Sequence, residues 1–159
     1  MLTNQNVVLN YLSANRAVLN IPGLNVTNYT ITSFDTPAIT LNPAIAPNPY
    51  IDKPYPGETL AYEPIEVEFI VTENLENYLE LHKWIRNLGA PEDKIDYRNK
   101  ELYMLDCSIT VYNSHNNPVL RYNFLDAFPT QLGGISFSEE VQETEVRKCS
   151  LVLTYERYD

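Results

Sequence analysis

The sequence predicts a mainly β, α+β domain: a β-sandwich or barrel of six to seven strands flanked by one α-helix over residues about 75–88. Three observations predict it. The chain has 12 Tyr and only five Gly in 159 residues, with frequent Val, Ile and Thr, which suit a pleated, half-buried surface. Several segments alternate apolar and polar residues with a period of two. One segment repeats its apolar residues at helical spacing for several turns. The length supports a single well-cored domain over 1–159 and is short for two.

In chain order, an N-terminal segment 1–13 places Val7, Val8, Tyr11 and Leu12 at helical spacing, enough for a short amphipathic turn. Arg16–Ile21 is expected as the first strand, stopped by the turn dipeptide Pro22-Gly23. Tyr29–Phe34 alternates large apolar with small polar residues and is expected to return as its partner. The clearest strand is Pro64–Glu73, with Ile65, Val67, Phe69 and Val71 on one face and Glu66, Glu68 and Thr72 on the other. Asn74 is a suitable N-cap for the helix 75–88, and Gly89 and Pro91 punctuate its end. Its apolar face is expected to hold Leu75, Tyr78, Leu79, Leu81, Trp84, Ile85 and Leu88. After a charged connection 91–103, Met104–Tyr112 alternates with Leu105, Cys107, Ile109 and Val111 inward. Val119–Leu125 returns as its hairpin partner, and Phe128–Phe137 is expected to break and turn. A long strand over 146–158 closes the chain, with Cys149, Leu151, Leu153 and Tyr155 on one face.

Seven of the 11 prolines lie between Pro37 and Pro64. Proline removes a ladder donor and biases the preceding residue towards extended geometry, so 37–60 is expected as an extended arm. A solvated loop has little use for Ile39, Leu41, Ile45, Tyr50, Ile51 and Tyr55. These six make the arm a candidate for docking against another subunit.

The formal charge of −10 disfavours a conventional nucleic-acid binder, which neutralises phosphates with basic residues. No stretch reaches the roughly 20 apolar residues of a membrane-spanning helix. The N-terminus shows no basic and apolar leader, and Cys107 and Cys149 are expected as reduced core residues in a cytoplasm-made protein. No catalytic, cofactor or metal site is expected. Gly-x-Ser-x-Gly, phosphate-cradling loops, His-x-x-x-His and Cys-x-x-Cys are missing, and His82 and His115 lack partners at useful spacing. Glu66 and Glu68 share a strand face and could mimic a carboxylate pair, although a wet face explains them more simply. The acids are segregated. No base occurs between Lys53 and Lys83, or between Arg121 and Arg147. Complementary surfaces of a self-assembling ring show such segregation.

Four features resemble the tail tube proteins of contractile-tailed bacteriophages, a family that includes related tube-initiator and tube-terminator proteins. They are the opening Ala14-Asn15-Arg16-Ala17-Val18, the link Pro56-Gly57 to Pro64 before a strand, a capped helix containing Trp84, and Leu125-Asp-Ala-Phe-Pro-Thr-Gln-Leu-Gly-Gly-Ile-Ser-Phe137 ahead of a final Tyr-bearing strand. The resemblance implies a structural virion protein without enzymatic activity, forming hexameric rings stacked into the hollow tube of a contractile tail. It implies assembly in the host cytoplasm and, as partners, further copies of itself, the tail sheath protein, the baseplate hub or initiator, the tail terminator and the tape measure protein. DNA would pass as non-sticking cargo, and no membrane is involved. On that reading Glu66 and Glu68 are candidates for an acidic lumen wall, and 37–60 for an inter-subunit arm. The alternatives are a baseplate initiator or hub, or a tail terminator, of the same fold. A different class is a monomeric barrel that binds a small ligand.

Overall fold

A computed structural model describes residues 14–90, 103–137 and 146–159. The expected turn within 4–13, most of the connection 91–103, and Glu139, Glu140, Glu143 and Glu145 lie outside the described residues.

The strands are β1 (Ala14–Asn20), β2 (Asn28–Phe34), β3 (Ile39–Leu41), β4 (Ala44–Ala46), β5 (Lys53–Tyr55), β6 (Leu60–Tyr62) and β7 (Ile65–Ile70) before the helix α1 (Glu76–Gly89). After it come β8 (Leu105–Asn113), β9 (Pro118–Leu132), β10 (Lys148–Thr154) and β11 (Arg157–Tyr158). The main sheet runs β10-β7-β2-β1-β8-β9-β11, and β9 also pairs with β10. That extra pairing closes six antiparallel strands into a barrel, and closure removes the exposed edges an open sheet would present. Of the two expected architectures, the protein adopts the barrel.

Period-two alternation sends one set of side chains inward from every strand. Register aligns them: Leu19 lies opposite Tyr29 and Ile109, Cys149 opposite Phe69, Leu151 opposite Val67, and Cys107 opposite Phe124. Leu19, Tyr29, Val67, Phe69, Ile109, Phe124, Leu151 and Leu153 are fully buried, so the interior is a packed core. Each such side chain contributes about 1.5–3 kcal/mol through burial.

Three expectations need correction. Phe128–Phe137 does not break the sheet at its start; β9 is one strand through Leu132. It bends at Asp126, which has φ 52, and passes from pairing with β8 to pairing with β10. Pro129 is tolerated because it sits opposite Leu153 at a shift in the β9–β10 register, where a missing donor costs least. The final strand is also shorter than expected: β10 ends at Thr154 and β11 resumes at Arg157. Cys149, Leu151, Leu153 and Tyr155 are nevertheless all buried, as the alternation predicts.

The third correction concerns the helix start. Asn74 is not the cap. Leu75 occupies the N-cap position in left-handed geometry, φ 58, without a side-chain cap bond. Asn77 does the joining instead. Its Oδ1 accepts from the Thr72 amide and hydroxyl, both at 3.1 Å, and its Nδ2 donates to the Ile70 carbonyl at 2.8 Å. The buried residues of α1 are therefore Asn77, Leu81 and Trp84, at i, i+4 and i+7. Leu79 falls off this stripe and is exposed. Trp84 Nε1 donates to the Tyr103 carbonyl at 2.7 Å, tying α1 to the chain entering β8.

A candidate assembly surface

Residues 38–63 leave the barrel as a long two-legged hairpin. β3 pairs with β6 and β4 with β5, all antiparallel. Between the two ladders the Asn42 amide donates to the Thr59 carbonyl at 3.2 Å, and at the root the Glu63 amide donates to the Ala38 carbonyl at 3.1 Å. The proline-rich arm is therefore extended, as expected, but ordered into paired strands. Pro43, Pro47, Pro49, Pro54 and Pro56 interrupt its free edges, which limits indiscriminate pairing with other strands.

All six expected docking residues lie on this arm and all are exposed. Ile39 and Leu41 stand on β3, Ile45 on β4 and Tyr55 on β5, while Tyr50 and Ile51 form the tip at 93% and 78% exposure. Leu60, opposite Leu41, joins them, although the sequence reading did not single it out. Ile39, Leu41 and Leu60 share one face of the β3–β6 ladder, while Ile45 and Tyr55 fall on opposite faces of the β4–β5 ladder.

Tyr155 was expected only as an inward residue of the last strand, and neither it nor Tyr158 was expected to bond the arm root. Tyr155 Oη donates to the Glu63 carbonyl at 2.6 Å and Tyr158 Oη to the Pro37 carbonyl at 3.1 Å.

Glu66 and Glu68 lie on one outer face of β7, with Val152 and Ser150 of β10 opposite them. The face is open. Glu68 accepts from the Thr32 hydroxyl at 2.7 Å and lies 3.7 Å from Lys148 Nζ. The Thr32 hydrogen bond chiefly holds the Glu68 carboxyl below its usual pKa; desolvation opposes this and Lys148 adds to it. The two carboxylates thus share a face, and one of them shares its charge with a base. His82 and His115 are exposed, and His115 lies in the β8–β9 turn. Cys107 and Cys149 are buried and unpaired. Burial pushes the Cys107 thiol up to about 12. The filled barrel interior offers no support for the small-ligand alternative. No helix among the described residues is long and apolar enough to cross a membrane.

A barrel flanked by a helix is one of the two architectures expected from the sequence. The family model for phage tail tube proteins matches residues 19–159. The chain belongs to the phage tail tube protein family. This family protein is 27% identical over 155 residues to the tail tube terminator protein of Enterobacteria phage T4, across 82% of its own length and 85% of that protein's. Its fold is similar to the sheath/tube terminator of the PVC extracellular contractile injection system, with a TM-score of 0.69 at 16% identity, over 96% of this chain and 97% of that one. It is similar to a chain of the PVC sheath–tube complex as well, with a TM-score of 0.67 at 16% identity, over 100% and 97%. These structural likenesses are likenesses of fold.

Proposed function

We propose that this tail tube family protein is a ring-forming structural component of a contractile tail, seated at an end of the tube as its terminator. The arm carries the reading. In a single copy its apolar residues stand in water while the barrel behind them is closed and filled, so the surface finds cover only in another subunit. The terminal position is favoured by the similarity to the terminator of phage T4. The repeating tube subunit is the second reading, favoured by the likeness to a chain of the sheath–tube complex.

In this reading the protein acts without catalysis, in the virion tail, after assembly in the host cytoplasm. Its neighbours are further copies of itself, the tube and sheath. The outer face bearing Glu66 and Glu68 is proposed as lumen wall, where negative charge repels DNA phosphates within about 8–10 Å at physiological salt. A ring reconstruction that places Glu66 and Glu68 on the outside would overturn that assignment.

Negative-stain imaging of the purified protein, alone and with preformed tubes, separates the readings. A terminator forms discrete rings that cap tube ends and do not lengthen. A repeating subunit polymerises into tubes. A compact monomer at high concentration, with no end-binding, would sink both.

A further inference from the structure

The arm has two roots, Pro37 on the way out and Glu63 on the way back, and each is held by one tyrosine hydroxyl of the C-terminal segment. Tyr158 Oη donates to the Pro37 carbonyl and Tyr155 Oη to the Glu63 carbonyl. Between them, the ring of Tyr62 at the end of β6 packs edge-to-face with both, with centroids 6.3 Å from Tyr155 and 5.7 Å from Tyr158. Behind them, Phe124 lies 4.8 Å from Tyr155 and Tyr122 lies 6.0 Å from Tyr158. This block is itself anchored. β11 pairs with β9, and Asp159 and Asn123 exchange two backbone hydrogen bonds at 3.0 Å.

We propose that Tyr155 and Tyr158 are positioning residues that hold the arm at a set orientation to the barrel, so that it meets its partner already aligned. The rings alone do not explain the residue choice. Phenylalanine would fill the same aromatic block but leave the Pro37 and Glu63 carbonyls without these donors. The break between β10 and β11 serves the same end. The Glu156 amide turns to the Leu125 carbonyl at 3.0 Å, and the chain resumes so that both hydroxyls reach the arm root. A hairpin free to swing at its root would lose that freedom on docking; one held beforehand loses less and binds more tightly for the same contacts. The role in docking rests on the arm being the assembly element, whereas the clamp itself does not.

Hydrogen exchange read by mass spectrometry on the purified protein tests the clamp. In Tyr155→Phe/Tyr158→Phe the amides of the arm strands are expected to exchange about tenfold faster, as loss of ordinary hydrogen bonds produces. Exchange in β1, β2 and β7 is expected to stay as in the unsubstituted protein. Unchanged arm exchange would overturn the proposal. Where the double variant loosens the barrel as well, Tyr158→Phe alone decides: loosening confined to the arm supports the clamp, and uniform loosening or none overturns it. Ring formation on the same samples tests the docking role. A loosened arm with weaker rings supports it, and a loosened arm with undiminished rings overturns it. An unsubstituted protein that forms no rings counts against the tube function, while the exchange comparison still decides the clamp.

Discussion

Gly57 lies so close to the backbone carbonyl of Asn42 that a Cβ at position 57 would overlap the oxygen. The contact sits where the β3–β6 ladder gives way to the β4–β5 ladder, at the waist of the arm. The neighbour is backbone and cannot rotate aside. Gly57→Ala therefore forces the two legs apart without touching the barrel. The variant is expected to keep its unfolding midpoint within about 3 °C of the parent, since its core is untouched. It is expected to lose ring or end-capping activity in imaging and to be cut faster by protease between residues 42 and 57. Intact assembly in a folded Gly57→Ala protein would refute the arm's role.

Asn77 joins α1 to the end of β7 through a buried amide with partners on both sides. Asn77→Ala removes these bonds and leaves the Ile70 carbonyl and Thr72 amide to find others. The expected loss is about 2–3 kcal/mol in urea unfolding, the cost of stranded buried polar groups. A loss near zero would mean that water enters and replaces the side chain.

Tyr29 presents the opposite case. Its ring packs edge-on against Phe69 at 5.6 Å in the core, but its hydroxyl is buried with no hydrogen-bond partner among the described residues. Burial, with the charge of Glu80 adding, raises its pKa. Tyr29→Phe keeps the ring and removes the orphaned group. The variant is expected to be at least as stable as the parent, by up to about 1 kcal/mol in the same urea experiment. A clear destabilisation would reveal a partner for that hydroxyl.

Alkaline pH should loosen the fold from a defined starting point. Burial, with the Asp106 charge adding, holds the Cys107 thiol at about 12 against an ordinary 9.0. Burial first, then neighbouring groups, holds Tyr155 at about 12 against 10.0. Both are raised, so the folded state keeps protons that the unfolded chain releases. Their stabilisation is complete below the ordinary values and is lost as pH climbs towards the folded ones. Stability is expected to fall from about pH 9 by about 1.4 kcal/mol per pH unit from Cys107 alone. Burial raises the Cys149 thiol as well, so in Cys107→Ala the decline from about pH 9 should be shallower, and should steepen near pH 10 where Tyr155 begins to contribute. An equal slope between about pH 9 and 10 in both proteins, measured by urea unfolding across pH 8–11, would contradict this account.

Much of the barrel was legible in the sequence because burial on one face writes itself as alternation. Ile65, Val67 and Phe69 in β7 and Cys149, Leu151 and Leu153 in β10 needed only a period of two to be assigned inward. The arm was legible for a different reason, since clustered prolines exclude helices and central strands. The helix start was misread. Asn74 has the composition of a cap, while Asn77 acts through β7, a partner that no local pattern names. The course of β9 through Pro129 was missed for the same reason, because the register shift that accommodates the proline belongs to β10. The arm root was out of reach as well: its two tyrosine hydrogen bonds span 92 and 121 residues.

By itself the sequence determined which residues of the barrel strands go inward, where the helix lies, that the chain is acidic, and that an apolar, proline-rich arm interrupts the strands. Each follows from interactions within a few residues, where periodicity, proline geometry and charge act directly. Only the tertiary structure decided that the sheet closes, that Asp126 turns β9 across the seam, that Lys148 shares the charge of Glu68, and that the C-terminal tyrosines grip the arm. Those outcomes depend on groups far apart in the chain meeting within hydrogen-bonding or ion-pair range, and that is set by register and closure, which no short window of residues contains.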